Sequence, residues 1–512
     1  MNRIVFVNID GACRDIFYSV VRKNKTNFSQ VIKLPKRAIN NVGISSSRKD
    51  TIAFHQVLNV LPVYTMPNQA SLFTGLYPCN HGVLNNHMFD RLGKSGGADE
   101  PVYYNNLRAY NFYYGTIGSA NRMLTEQTPT VHDYLYDKGM TSAIFYSHFS
   151  SQKNAGKVNK IMFNFMRDEF SKHSGSAIDW WVPSPMDALE FPSQGFNESH
   201  IFDKYINFDG EMMQDTLKYL EDMEDEEVPN LVTLYFGGND HHCHGKGTKG
   251  EKGQAHYLLD YCDKFFGKFL EKWEKFIDQT IFIFLSDHGH IDVCNGNNTI
   301  EKDLIPEILK KKGYKCFNPK SYLSRVGKCD VAIAYSCGMV QIYVQKNANE
   351  SNKGDWTELP SEDDLEKVKD TLTQGGKLNH TDFIFTRKLD GNSWNAGYTF
   401  DQLRPGAGAD FVRLTERMDE ICCHSSGDII LVLDPRETYR FGGEDLKSVH
   451  GYGIEQDSYV PLIFAGNNIN LFKPKNDISN VRTVDITPTI LYLLGIDVDK
   501  FDGKNLLEKK SG

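Results

Sequence analysis

Three acidic residues in this sequence follow short apolar runs within a few positions, and histidines accompany two of them. Asp10 follows Asn8-Ile9 and precedes Gly11, Asp240 lies in Asn239-Asp240-His241-His242-Cys243-His244-Gly245, and Asp287 lies in Ser286-Asp287-His288-Gly289-His290. Carboxylate oxygens and imidazole nitrogens are donor atoms of divalent-cation sites. The spacing of Asp240 and His244 places both on one face of a helical turn, where they could grip one cation. Asp287 and His288 are adjacent, so both reach inward only if the backbone turns sharply, which Gly289 permits. Each motif also has an ordinary reading, because Asp-Gly is a common turn and polar loops need no metal. His241 and His242 are nearby candidates for a supporting or substrate role, ranked below His244. His450, in Val449-His450-Gly451-Tyr452-Gly453, reads by itself as structural.

A hydroxyl nucleophile is available in Thr65-Met66-Pro67-Asn68-Gln69, a segment that runs on to Thr74-Gly75. Thr65 suits a helix cap, Pro67 a first helical turn and Gly75 the stop. A hydroxyl at a helix N-terminus sits in positive potential, and a cation beside it would favour the alkoxide needed for attack on phosphorus. Capping and attack are compatible in position, so the residues alone leave both open.

The elements that must position these groups can be read from apolar patterning. The runs Ile4–Ile9, Leu231–Phe236, Ile281–Leu285, Ile429–Leu433 and Val460–Phe464 read as buried parallel strands. Helical patterns lie at Met212–Met223, Tyr257–Ile277 and Thr487–Leu494. This alternation predicts an α/β fold with a mostly parallel central sheet and helices on both faces. Ligands in such sheets bind beyond the carboxyl ends of the strands, where the three acids stand.

A chain of 512 residues exceeds what one core usually fills. We expect one domain over residues 1–505 with two insertions, 88–203 and 295–410. The first is rich in Tyr, Asn, Phe and Ser; the second mixes short strands with a polar segment in which Ser361-Glu362-Asp363-Asp364 resembles a helix start. Aromatic clusters at Tyr103-Tyr104 and Tyr110-Asn111-Phe112-Tyr113-Tyr114 could stack on a base, although packing within the insertion is the preferred reading.

The net charge of -9 offers no field to gather long nucleic acids, whereas small anions remain compatible because bound cations reverse the local field. Ten cysteines without a repeated C-x-x-C suggest neither a disulfide framework nor a thiolate zinc site. The first apolar run is too short for a signal-peptide core, and no run approaches the roughly 18 apolar residues that cross a bilayer. The expectation is a cytoplasmic protein without a membrane partner.

Taken together, the motifs resemble the nucleotide pyrophosphatase/phosphodiesterase branch of the alkaline phosphatase superfamily. The similarity runs through Thr65-Met66-Pro67-Asn68, Thr74-Gly75-Leu76-Tyr77-Pro78 and His81-Gly82-Val83-Leu84-Asn85-Asn86. It continues in order through Asp240-x-x-x-His244, Asp287-His288-Gly289, His450-Gly451 and Val484-Asp485-Ile486-Thr487-Pro488-Thr489-Ile490. The resemblance spans the core from Asp10 to about Leu494 but not the two insertions. It implies an alkaline-phosphatase-like fold and two divalent metal ions, one held by Asp10, Thr65, Asp287 and His288, the other by Asp240, His244 and His450. Zn2+ is favoured by this nitrogen and oxygen set, and Mn2+ is compatible with it. Asn86 is implied as the oxyanion contact, assisted by the backbone N–H of Thr65 or Met66. The implied reaction is hydrolysis of a phosphodiester or pyrophosphate bond through a phosphothreonine, with a small phosphorylated substrate such as a nucleotide.

Departures from neighbouring branches narrow this. Sulfatases carry a modifiable Cys or Ser followed by Pro and Arg, which Thr65-Met66-Pro67-Asn68-Gln69 lacks. No Arg lies close in sequence to Thr65 to neutralise a dianionic monoester, which tilts the expectation toward diesters or pyrophosphates. Phosphonate hydrolysis, as in phosphonoacetate hydrolases, is the nearest rival, with phosphomonoester hydrolysis behind it. A metal-binding pseudoenzyme or nucleotide sensor is the rival of another class, disfavoured because all seven implied ligands and Asn86 are present.

Overall fold

The computed structural model describes residues 3–510 apart from 24, 35–45, 49, 94–100, 105–119, 126–127, 146, 152–197, 225–227, 297, 318–328, 349–353, 375–377, 392, 443–445 and 477. Its central sheet has eight strands. From one edge to the other run Ser46–Arg48, Thr51–Leu58, Tyr459–Ala465, Thr280–Leu285, Arg3–Ile9, Leu231–Phe236 and Ser142–Phe145, with Val481–Arg482 alongside Thr51–Leu58. Strand Arg3–Ile9 pairs in parallel with both Leu231–Phe236 and Thr280–Leu285, so these three strands finish at the same edge.

Every second residue of Arg3–Ile9 faces a different core, as the pleat requires. Ile4 and Phe6 pack with Met66, Phe73, Ile486 and Ile490 on one face. Val5, Val7 and Ile9 pack with Phe17, Met212, Phe266 and Trp273 on the other. Helices Thr65–Thr74 and Ile486–Leu493 therefore cover one side, while Arg14–Val21, Glu198–Asp222 and Asp263–Trp273 cover the other. A strand buried on both faces reads as a continuous apolar run, which is why the sequence discloses it.

Two expected strands are placed differently. Val460–Phe464 belongs to the central sheet, within Tyr459–Ala465, but runs antiparallel to both neighbours. Ile429–Leu433 is not in that sheet. It lies in a second, six-stranded sheet ordered Cys316–Phe317, Val331–Tyr335, Met339–Val344, Ile429–Leu433, Thr381–Arg387 and Tyr398–Gln402, and is antiparallel to its neighbours there. Both sheets bury both faces of their inner strands, so a five-residue apolar run carries no mark of which sheet it joins.

Helix Glu362–Thr373 packs Leu365, Val368 and Leu372 on this second sheet. Its Ser361 hydroxyl accepts from the Asp364 backbone while the Asp364 carboxylate accepts from the Ser361 backbone, a reciprocal cap at the helix start that the sequence suggests. Tyr103 is buried with its ring edge-on to Phe317 at 5.6 Å, a packing role, whereas Tyr110–Tyr114 lie outside the described residues. All ten cysteines are free thiols. Among the described residues no helix is long and apolar enough to cross a membrane.

Candidate active site

The shared strand edge gathers the three acids. Asp10 follows Arg3–Ile9, Asp287 and His288 follow Thr280–Leu285, and Asp240 and His244 lie one turn apart on helix Gly238–Lys246, which begins just past Leu231–Phe236. Asp10, Asp287 and His288 present donor atoms within 4.8 Å of one another; so do Asp240, His288 and His450, and so do Asp240, His244 and His290. All are buried. His450 is carried in by the loop after Ser448–Val449, where Asp457 accepts hydrogen bonds from the backbone of Gly451, Tyr452 and Gly453. Gly451 has φ +111° and its missing side chain leaves room for Tyr64, whose ring would lie 2.3 Å from an added Cβ.

The two expected ligand sets lie against each other. His288 Nε2 is 3.2 Å from Asp10 Oδ1, and His244 Nε2 is 3.4 Å from Asp240 Oδ2. His450 Nε2 is 3.5 Å from Asp240 Oδ1, but its ring stacks on His288 with centroids 3.8 Å apart and stands 5.2 Å from that of His244. The residue that joins Asp240 and His244 most tightly is His290, which the sequence reading left without a role.

Thr65 is not the helix cap. Tyr64 takes that position with extended backbone, Thr65 is the first helical residue, and its hydroxyl lies 3.2 Å from His288 Nε2. The loop before it is braced by Asn68, whose amide donates to the Tyr64 carbonyl and whose side-chain oxygen accepts from the Val60 backbone. Asn86 reaches the same helix end, its side-chain oxygen accepting from Met66 N–H at 2.9 Å. That N–H is thereby occupied, so of the two backbone donors expected beside Asn86 only that of Thr65 remains a candidate.

Further residues hold the acids in place without contacting one another's sites in sequence. Gln69 donates to Asp287 Oδ2 at 3.1 Å and accepts from Asn8 at 2.7 Å, tying helix Thr65–Thr74 to the ends of two strands. The backbone N–H groups of Gly11 and His288 donate to Asp287 Oδ1. Tyr235 donates its hydroxyl to Asp10 Oδ2, with His148 Nε2 3.0 Å behind the hydroxyl. Of the two histidines ranked below His244, His241 lies 3.7 Å from Asp240 at the edge of the cluster, while His242 binds the Lys252 carbonyl and packs on Tyr257.

The electrostatics of the cluster call for positive charge. Burial, then Asp287 and Asp240, push the Asp10 carboxyl well above the usual carboxylate range. Burial opposes charge on His288, yet Asp287 and Asp10 outweigh it and hold the imidazole at about 10. Burial also opposes ionisation of Asp240, but His244, His290 and His450 hold it well below the usual range. Burial pushes His290 down to about 4 and, with His288, pushes His450 well down. Asp10 Oδ1 is buried, with His288 Nε2 3.2 Å away. Three buried carboxylates and four imidazoles form a donor set suited to divalent cations.

A sequence profile described as type I phosphodiesterase / nucleotide pyrophosphatase matches residues 4–452. The chain belongs to this phosphodiesterase family. Human bis(5'-adenosyl)-triphosphatase ENPP4 is 24% identical over 173 residues, 32% of this chain. The matched stretch spans 37% of the length of that relative. Murine ectonucleotide pyrophosphatase / phosphodiesterase 5 shares the fold with a TM-score of 0.53 at 16% identity, covering 98% of each chain. The human counterpart gives 0.53 at 18% identity over 98% of this chain and 97% of its own. An inactive variant of the murine protein in complex with AMP gives 0.52 at 16% identity over 98% of each chain. The alkaline-phosphatase-like fold expected from the sequence is thus the fold of this chain.

Proposed function

We propose that this chain hydrolyses phosphodiester or pyrophosphate bonds of a small phosphorylated substrate, with Thr65 as the nucleophile and a nucleotide as the substrate class. The observation that carries the reading is the position of Thr65: its hydroxyl points from a helix N-terminus at His288 Nε2, 3.2 Å away, within the buried Asp10/Asp287/His288 group. Asp10, Thr65, Asp287 and His288 would hold one divalent cation, and Asp240, His244 and His450 the other, with zinc or manganese as the metal. When bound, two such cations supply the positive charge that favours a threonine alkoxide and a departing oxygen.

The chain's own residues account for the rest of the chemistry. The helix end offers positive potential to the phosphoryl group, and the Asn86 amide donates to one of its non-bridging oxygens. Thr65 Oγ1 forms the new bond to phosphorus as the bond to the leaving group breaks in line, giving a phosphothreonine, and the hydroxyl proton leaves with the departing alcohol or phosphate. Water then attacks phosphorus and releases Thr65 with its proton restored. The nucleotide class draws support from relatives, one named for bis(5'-adenosyl)-triphosphate hydrolysis and another bound to AMP.

The test is turnover of bis-p-nitrophenyl phosphate, a dinucleoside polyphosphate and phosphonoacetate by protein loaded with zinc or manganese, followed by acid quench and peptide mapping. Cleavage of the first two with phosphate on the Thr65 peptide is the expected result. Cleavage of phosphonoacetate alone, or no turnover of any of the three by metal-loaded protein, would overturn the reading.

A further inference from the structure

His290 Nε2 lies 2.8 Å from Asp240 Oδ1, nearer to that carboxylate than His244 at 3.4 Å or His450 at 3.5 Å. Its other ring nitrogen reveals which form of the imidazole is present. The Ser448 hydroxyl is 2.7 Å from the Cys243 carbonyl oxygen, which can only accept, so the hydroxyl hydrogen goes there. The Ser448 oxygen is left as the acceptor for His290 Nδ1 at 3.0 Å, and Nδ1 carries the ring hydrogen. Nε2 of the neutral ring is then a bare lone pair facing a carboxylate oxygen, also an acceptor. Two acceptors at 2.8 Å repel unless positive charge joins them.

His244 and His450 are fixed in the same way. Their Nδ1 atoms lie 2.8 Å and 2.9 Å from the carbonyl oxygens of Ser448 and Val63, so each presents an Nε2 lone pair toward Asp240. Three imidazole lone pairs converge on one carboxylate. The backbone beneath the pair is kept bare as well: Gly11 has φ +66°, and an added Cβ there would lie 2.6 Å from His290 Nε2 and 3.1 Å from Asp240 Oδ1.

We infer that His290 is a fourth protein ligand of the cation held by Asp240, His244 and His450, an inference that rests on the two-cation reading above. Asp240, His244 and His290 present donor atoms within 4.8 Å of one another, and the contacts of His244 and His450 with the two oxygens of Asp240, 3.4 Å and 3.5 Å, are near the roughly 3.3 Å separation of donors that share an ion with bonds of about 2.0–2.1 Å. The His290 contact is tighter and widens for both groups to share the ion. The two centres then differ in chemistry. The Asp240 centre has three nitrogens and a carboxylate and selects zinc, while the Asp10 centre is mostly oxygen and admits manganese.

The test measures metal, not turnover. Wild-type protein, His290→Ala and His290→Gln are stripped, reloaded with zinc and titrated against a chromogenic chelator, and the cobalt-substituted forms are compared by visible absorption. Glutamine keeps the bulk of the side chain, so a folding failure of the alanine variant leaves the comparison intact. We expect two zinc ions in wild type, with one losing at least about 100-fold in affinity in the variants while the other is unchanged, and an altered cobalt spectrum for the weakened site. Unchanged affinities would overturn the inference. Weakened affinity with an unchanged cobalt spectrum would also overturn it, marking His290 as a residue that only steadies Asp240. Wild-type protein that binds no divalent ion would remove the two-cation reading itself.

Discussion

The side-chain oxygen of Asn86 accepts a hydrogen bond from the backbone N–H of Met66, 2.9 Å away at the start of the helix that carries Thr65. Because that N–H can only donate, the Asn86 oxygen must face it, and the amide NH2 is left to donate elsewhere. Asn86→Asp keeps the acceptor for Met66 but replaces the donor with a negative charge. Both Asn86→Asp and Asn86→Ala should therefore lower kcat by about 100- to 1000-fold with little change in fold. Steady-state kinetics on a diester, with thermal unfolding as the control, checks this. Aspartate retaining most of the activity would show that the amide donor does not matter.

Thr65 offers a cleaner separation of roles than a capping threonine would. Its hydroxyl caps nothing, since Tyr64 is the cap and Thr65 already belongs to the helix. Thr65→Ala should change stability by less than about 0.5 kcal/mol, because alanine is the better helix former at a position without a cap bond. Turnover should vanish, while Thr65→Ser keeps part of it. Urea unfolding beside a diester assay reads both effects, and wild-type-like turnover in the alanine variant would exclude threonine attack.

How far the sequence disclosed this site follows from where each residue's partners lie. Asp10, Asp240 and Asp287 were legible because each follows an apolar run, and parallel pairing of those runs brings their ends together. His290 sat in view beside His288, but its partner Asp240 is 50 residues away and Ser448 is 158 away, so no local pattern connects them. Gln69 and Tyr235 were hidden for the same reason: each acts on an acid across the sheet. The one-residue shift of the cap from Thr65 to Tyr64 lies within the ordinary uncertainty of a helix boundary. Strand identity was easier than strand direction, since Val460–Phe464 would be as apolar in either orientation.

Tyr235 should matter for metal rather than for substrate. Its hydroxyl occupies Asp10 Oδ2 and leaves Oδ1 facing His288. Tyr235→Phe removes that hydrogen bond while keeping the ring beside Gly237 and His148. Loss of such an orienting bond typically weakens metal affinity about 10- to 100-fold. The expected loss falls on the ion proposed for Asp10, Asp287 and His288. Chelator competition measures it, and equal affinities in the variant and wild type would show that Asp10 is oriented without Tyr235.

Asp209 lies on helix Glu198–Asp222 and is fully buried. It accepts from the Gly238 backbone at 3.0 Å and the Tyr257 hydroxyl at 2.8 Å, and so fixes the start of the helix bearing Asp240 and His244. Burial pushes its carboxyl up to about 7, against the lowering effect of those hydrogen bonds. A carboxyl whose folded-state pKa is raised binds its proton more tightly in the folded state. Its contribution to stability is therefore fully present below the unfolded value of 3.8 and is lost as pH rises toward 7. Asp209→Asn removes this titration while its oxygen still accepts from Gly238 and its NH2 donates to the Tyr257 oxygen. Relative to wild type, the variant should gain roughly 2–3 kcal/mol between pH 5 and pH 8. Urea midpoints of both proteins across that range give the difference directly, free of the titrations they share. Parallel curves would mean that Asp209 is ionised in the folded protein throughout, held so by its two donors in spite of burial.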